Sequence, residues 1–147
     1  MYKFFLLCVF ALPVHAAEVT EVFDGDQLTL QEDGKTVKLR LAIIDAPELD
    51  QPYGKEAKQA LTKLCLGKQV TYQPLKRIIE GRMTAMVYCD EKEANRAQIK
   101  QGLAWIDPEQ DVEPEYKLLQ EWIFDGKYGL WRDSKPIPPW EWRKRNH

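Results

Sequence analysis

The chain has 147 residues, enough for one ordinary domain and too few for two. Its 21 basic and 23 acidic side chains leave a formal charge of −2, so bulk charge does not gather nucleic acid; any phosphate must be held locally, by a metal or a few placed arginines. Of its 2 histidines, His15 lies in an N-terminal apolar segment and His147 is the last residue, which excludes a Ser-His-Asp triad, a Cys-His pair, a His general base and a His-ligated zinc from the body of the chain.

Residues 1–16 read as a secretory signal peptide: Lys3, then the apolar run FFLLCVFALPV, then small residues, with cleavage expected after Ala16. The run is too short for a membrane span. The mature protein is therefore expected to be secreted or periplasmic, with no stable membrane association. Cleavage removes Cys8 and leaves Cys65 and Cys89, which in an exported protein point to a disulfide; two buried free thiols are the alternative.

Glu18 to Phe23 alternates as a strand, Asp24-Gly25-Asp26 is a turn, and Gln27 to Gln31 is a second strand with Leu28 and Leu30 on one face. Asp33-Gly34 is a hairpin turn, and Thr36 to Ile44 is the third strand. Pro52-Tyr53-Gly54 leads into a helix of about a dozen residues, closed by Gly67. Gln69 to Leu75 and Arg82 to Tyr88 are the fourth and fifth strands. Glu93 to Leu103 and Glu115 to Phe124 are helices, the last with Tyr116, Leu119, Trp122 and Ile123 on its apolar side. Three strands, a helix, two strands and two helices predict a mainly β fold, a five-stranded OB-type Greek-key barrel with three helices. That domain occupies residues 17–131. Residues 132–147 form a Pro/Trp/Arg-rich tail whose prolines forbid helix; Trp140, Trp142 and Arg143 there are expected to fasten the tail to the barrel rather than stack on bases.

Charged residues recur at turns and strand ends: Asp24, Asp26, Arg40, Asp45, Glu48 and Arg82. Singly, each has an ordinary explanation as a turn former, a cap or a rim charge. Together they contain carboxylates able to hold Ca²⁺, two arginines able to fork onto a phosphate, and a carboxylate left over to handle water. Those are the parts of a phosphodiesterase that lacks histidine.

The stretches DGDQLTL, RLAIIDAPE, QPYGKEA, GR and IKQGLAW, in this order from about Val19 to Trp105, resemble the successive motifs of the staphylococcal nuclease (thermonuclease) family. WRDSKPIPPWEWRK resembles the tail of its exported bacterial members. The resemblance implies that Asp26, Asp45 and the backbone carbonyl of Ala46 bind Ca²⁺, with Asp24 behind them. It implies that Glu48 handles the attacking water and that Arg40 and Arg82 clamp the scissile phosphate. It further implies Ca²⁺-dependent hydrolysis of DNA and RNA to 3′-phosphate products. The chain departs from the family pattern at Gln27, where the family has threonine, and at Glu80, where it has tyrosine. Its loop from Leu49 to Gly54 lacks lysine. A non-catalytic OB-type module that binds nucleic acid or a protein is the alternative, and fold alone does not decide between them. A structural envelope protein stapled through Cys65 and Cys89 would leave the charged set without a purpose. Nothing in the sequence calls for an oligomer, and a monomer is the expectation.

Overall fold

The computed structural model describes residues 17–146; the expected leader and its cleavage position lie outside them. The elements in chain order are β1 (Ala17–Val22), β2 (Gln27–Glu32), β3 (Lys35–Leu41), β4 (Ile44–Asp45), α1 (Gly54–Cys65), β5 (Gln69–Ile79), β6 (Arg82–Cys89), β7 (Lys92–Glu93), α2 (Ala94–Lys100), β8 (Trp105–Ile106), α3 (Pro114–Asp125), a short 3₁₀ turn (Gly129–Arg132) and α4 (Pro139–Asn146). Five of the strands hydrogen-bond in the order β3-β2-β1-β5-β6, and β6 returns to pair in parallel with β3. This closes the expected five-stranded OB-type barrel and leaves it no free edge. The short β7 extends β6, and β4 pairs with β8 in a separate two-stranded ribbon.

Alternation along the strands builds the barrel interior. Val19, Leu28, Leu30, Leu39, Leu41, Ala85 and Val87 are fully buried. On α1, Ala57, Leu61 and Cys65 recur at i, i+4 and i+8, so one stripe of the helix faces the barrel. Cys65, at the end of α1, is bonded to Cys89, at the end of β6, with 5.3 Å between the Cα atoms. This resolves the choice between a bridge and free thiols and ties the helix to the wall it covers. Among the described residues, no helix is long and apolar enough to cross a membrane.

Four sequence expectations need correction. The third strand does not run to Ile44. It stops at Leu41, because Ile43 adopts φ 63°, a left-handed conformation that no strand accommodates. The fourth strand extends to Ile79, well past Leu75, with its pairing to β6 interrupted between Pro74 and Ile78; a proline cannot donate to the ladder, so irregularity at that point is expected. On α3, Trp122 is 62% exposed. Six positions on from Tyr116, it is rotated about 120° from the stripe that Tyr116 and Ile123 define. The tail contains a helix after all, α4, beginning at Pro139. Proline is suited to a first helical turn, where its missing N–H has no partner to lose. With α4 the described residues hold four α-helices, one more than expected.

Candidate active site

The site lies where the β1–β2 turn, the end of β3, the β4–α1 loop and α4 meet. Asp24-Gly25-Asp26 forms the turn. The Asp26 carbonyl accepts from the Leu41 N–H at 2.7 Å and the Gly25 carbonyl from Gln98 Nε2 at 2.5 Å, which docks the turn against β3 and α2. Gly25 is required by space: a Cβ there would lie 2.5 Å from Ala57 Cβ and 2.7 Å from Ala46 Cβ. The same closeness recurs at Gly54, where a Cβ would collide with the Glu48 carbonyl. Motif glycines thus pack the turn and the Glu48 loop onto α1.

Arg40 is the hub. Its guanidinium is 8% exposed, and Nη2 lies 3.2 Å from Asp26 Oδ2 and 2.8 Å from Asp45 Oδ1. Five residues of straight strand would separate positions 40 and 45 by about 16 Å. The reversal at Ala42-Ile43 brings them back together, and the Ile43 amide and carbonyl are held by Gln110 Oε1 and the Asp107 N–H. Asp26 Oδ2 also accepts from the Ala46 N–H at 2.9 Å. Asp24 braces Asp26 from behind, accepting the Asp26 N–H at 3.0 Å on Oδ1 and Gln27 Nε2 at 2.7 Å on Oδ2. Gln27, the departure from the family pattern, therefore orients that supporting carboxylate.

Burial pushes the Asp26 carboxyl well above the ordinary range; Arg40 opposes this, and Asp24 and Asp45 reinforce it. Burial also raises Asp24, against the hydrogen bonds it accepts from Asp26. For Arg40, burial disfavours the charge, but Asp26 and Asp45 outweigh it and the guanidinium titrates above its usual value. Two of the site's carboxyls are thus held above their ordinary range by burial, against the pull of Arg40.

Glu48 is 30% exposed and follows Pro47 in the loop before α1. Its amide donates to Gln51 Oε1 at 3.1 Å, and Gln51 Nε2 donates to the Ile137 carbonyl at 2.6 Å, linking the loop to the tail. Arg82 opens β6. Arg40 faces Thr84 in the parallel β3–β6 pair, and Arg82 is two residues before Thr84, so both arginines project from one side of the wall. The Arg82 guanidinium lies 5.4 Å over the Phe23 ring, and its Nη1 is buried without a hydrogen-bond partner. A buried, unsatisfied guanidinium N–H suits an incoming anion. Glu80 sits in the turn before β6 with Oε2 3.9 Å from Arg40 Nη1, so the second family departure also reaches the site.

The six charged residues singled out in the sequence, with Ala46, are therefore all in this region. Asp24 supports Asp26 through the Asp26 amide; among the described residues, no group of three or more His, Cys, Asp or Glu side chains is arranged to hold a metal. Asp26, Asp45 and the Ala46 carbonyl would together offer only oxygen donors, the kind a hard cation such as Ca²⁺ takes. Gln51, Gln98 and Arg143 were not identified as site residues. Gln51 and Gln98 lie inside or beside stretches that the motifs mark, and Gln98, like Asn95, is a polar residue on the buried side of α2. Arg143 carried no such signal. From α4 it donates to Asp45 and Glu48, and those hydrogen bonds raise its already high pKa.

Beside the site, a cleft of about 210 Å³ is lined by Arg40, Asp45, Arg77, Glu80, Trp140 and Arg143, among others.

Residues 38–133 match the model of the staphylococcal nuclease homologue family. A curated protein of Escherichia coli described as an uncharacterized endonuclease is 36% identical over 145 residues, covering 95% of each chain. One of the same description from Haemophilus influenzae is 36% identical over 132 residues, covering 89% of this chain and 74% of its own. A probable staphylococcal-like nuclease of Oryza sativa subsp. japonica is 40% identical over 114 residues, 76% of this chain and 34% of that longer protein. With a matching family model over most of the chain, and relatives of this identity along nearly its whole length, the chain belongs to the family of staphylococcal nuclease homologues.

Proposed function

We propose that the protein is a Ca²⁺-dependent nuclease that hydrolyses the phosphodiester bonds of DNA and RNA, leaving 3′-phosphate ends. The observation that carries this reading is the convergence of Asp26 and Asp45 on Arg40, with Glu48 on the adjoining loop and the unpartnered Arg82 Nη1 across the same wall. Family membership supports hydrolysis of nucleic acid. Asp26, Asp45 and the Ala46 carbonyl would hold Ca²⁺, which when bound supplies positive charge to a phosphate oxygen.

The chain's own residues do the rest. Glu48 orients a water for attack on phosphorus. Arg40 and Arg82 donate hydrogen bonds to the non-bridging oxygens and offset the charge that builds up as the fifth bond forms. The attacking water adds to phosphorus and gives up a proton to solvent as the bond to the 5′-oxygen breaks; that oxygen takes a proton from solvent, and the phosphate stays on the 3′ side. The disulfide between Cys65 and Cys89 supports work in an oxidising compartment, as the secreted or periplasmic assignment requires. The protein acts as a monomer in this reading.

The test is direct. Mature protein is incubated with plasmid, single-stranded DNA and RNA, with Ca²⁺ or with chelator, and the product ends are mapped. Cleavage requires Ca²⁺, and Arg40→Met or Glu48→Gln lowers its rate on the order of 10²–10³-fold. Binding without cleavage under all conditions would instead favour the non-catalytic module, and undiminished cleavage by Glu48→Gln would remove that residue from its role.

A further inference from the structure

Arg143 has no part in the chemistry just outlined, yet it is among the most tightly held side chains of the site. It reaches Asp45 and Glu48 from the far end of the chain. Nη2 donates to Asp45 Oδ2 at 2.7 Å, and Nη1 donates to Asp45 Oδ1 at 3.2 Å and to Glu48 Oε1 at 2.7 Å. One guanidinium fork thus spans the proposed cation ligand and the water-orienting carboxylate.

The helix that carries it is anchored on the same loop. Trp142 Nε1 donates to Asp50 Oδ1 at 3.2 Å, Gln51 holds the Ile137 carbonyl, and the Trp140 ring meets Trp105 edge-on with centroids 5.8 Å apart. Pro139, the first residue of α4, is buried. These contacts aim Arg143 into the site rather than leaving it to sample the surface.

Asp45 then has little left to offer. Oδ1 accepts from both Arg40 and Arg143, which uses both of its lone pairs, and Oδ2 accepts from Arg143. A calcium ion approaches a carboxylate oxygen to about 2.3–2.6 Å. At Asp45 it would share one carboxylate with the positive charges of both Arg40 and Arg143. Arg40 is built into the barrel wall, whereas Arg143 is 32% exposed and can withdraw toward solvent.

We propose that Arg143 is the site's own counter-cation: it neutralises Asp45 and Glu48 when no divalent ion is bound, and a divalent ion must displace it from Asp45 to bind. The proposal rests on the reading that Asp26 and Asp45 hold Ca²⁺. Displacement also frees Glu48 Oε1, so one exchange of cations delivers both the metal ligand and the water-orienting group. Because the coupling is reciprocal, removing the guanidinium strengthens calcium binding as much as calcium weakens the Arg143 contact.

The test compares calcium binding by titration calorimetry for the full chain and for Arg143→Gln, without substrate. The variant binds Ca²⁺ on the order of tenfold more tightly. In parallel, the Arg143 guanidinium N–H signals of isotope-labelled wild type are followed by NMR: protected from solvent exchange in chelator, they lose that protection on addition of Ca²⁺. Equal or weaker calcium binding by Arg143→Gln overturns the proposal alone, since Ca²⁺ then still binds. If that variant does not fold, guanidinium signals that Ca²⁺ leaves unchanged overturn it in the wild type. If neither protein binds Ca²⁺, the assignment of Asp26 and Asp45 as cation ligands fails and takes the proposal with it.

Discussion

Replacing Gly25 with alanine isolates the packing of the site from its charges. Gly25 does not occupy the left-handed region, so alanine is acceptable to the backbone, and the change acts through one methyl group. That methyl would sit 2.5 Å from Ala57 Cβ, 2.7 Å from Ala46 Cβ and 3.4 Å from the Ala57 carbonyl carbon. Carbon atoms in contact prefer about 3.5–4.0 Å, so roughly 1 Å must be found on two sides at once. Neither neighbour can rotate away, because a methyl on Cα has no rotamers. Overpacking of this kind costs about 1–3 kcal/mol, from which the stiffer unfolded chain returns about 0.4–1 kcal/mol. The Asp26 contact to the Ala46 N–H, at 2.9 Å, lies across the same gap and is lost with the shift, so cleavage falls on the order of 10²-fold. The assay is a double-mutant cycle in urea with Ala57→Gly, which moves the methyl from α1 to the turn. Ala57→Gly alone costs about 1 kcal/mol in helix propensity. The pair is less destabilised than the sum by about 1–2 kcal/mol, because one of the two close contacts is relieved; the one to Ala46 Cβ remains, and activity stays low. Additive losses, or a Gly25→Ala protein as stable and active as wild type, would refute the claim that this glycine is there for space.

Asp26→Asn tests the buried charge. The Asp26 carboxyl titrates above its ordinary value because of burial, so its contribution to stability is fully present below about pH 4 and is lost as pH rises through the folded value. In chelator the asparagine variant is therefore the more stable protein at pH 8, and the gap closes toward pH 4; thermal melts across that range measure it. The same variant no longer binds Ca²⁺ in calorimetry. Reducing the Cys65–Cys89 bridge, which closes a sequence separation of 24, lowers stability by about 2–4 kcal/mol in urea titrations with and without reductant.

The barrel was legible because period-two alternation and Asp-Gly or Gly turns report directly on half-buried antiparallel strands. Leu28 and Leu30, or Leu39 and Leu41, fall where the pattern puts them. What the pattern could not carry was a reversal made by an unlikely residue. Ile43 is β-branched, among the last residues expected at positive φ, and a run of Leu, Ala, Ile and Ile looks like unbroken strand. The charged set was legible as a set, since a resemblance spanning several motifs marks each position independently. Arg143 was not, because its role depends on α4, and the prolines before it read as breakers when one of them is the first turn of a helix. Contacts made at a sequence distance of 98, as from Arg143 to Asp45, leave no local trace at either end.

The reversal at Ile43 divides the site between two units of unequal durability. Arg40, Arg82 and the turn bearing Asp26 belong to the closed barrel, whereas Asp45 belongs to the β4–β8 ribbon, two residues on each strand, with α4 leaning on it through Trp140 and Trp105. Such a ribbon has little independent stability. We predict that on warming it opens before the barrel does, so that activity followed against temperature falls while the circular dichroism is still that of an intact fold. Inactivation is then reversible on cooling, because the barrel that remains is the template on which the ribbon reforms.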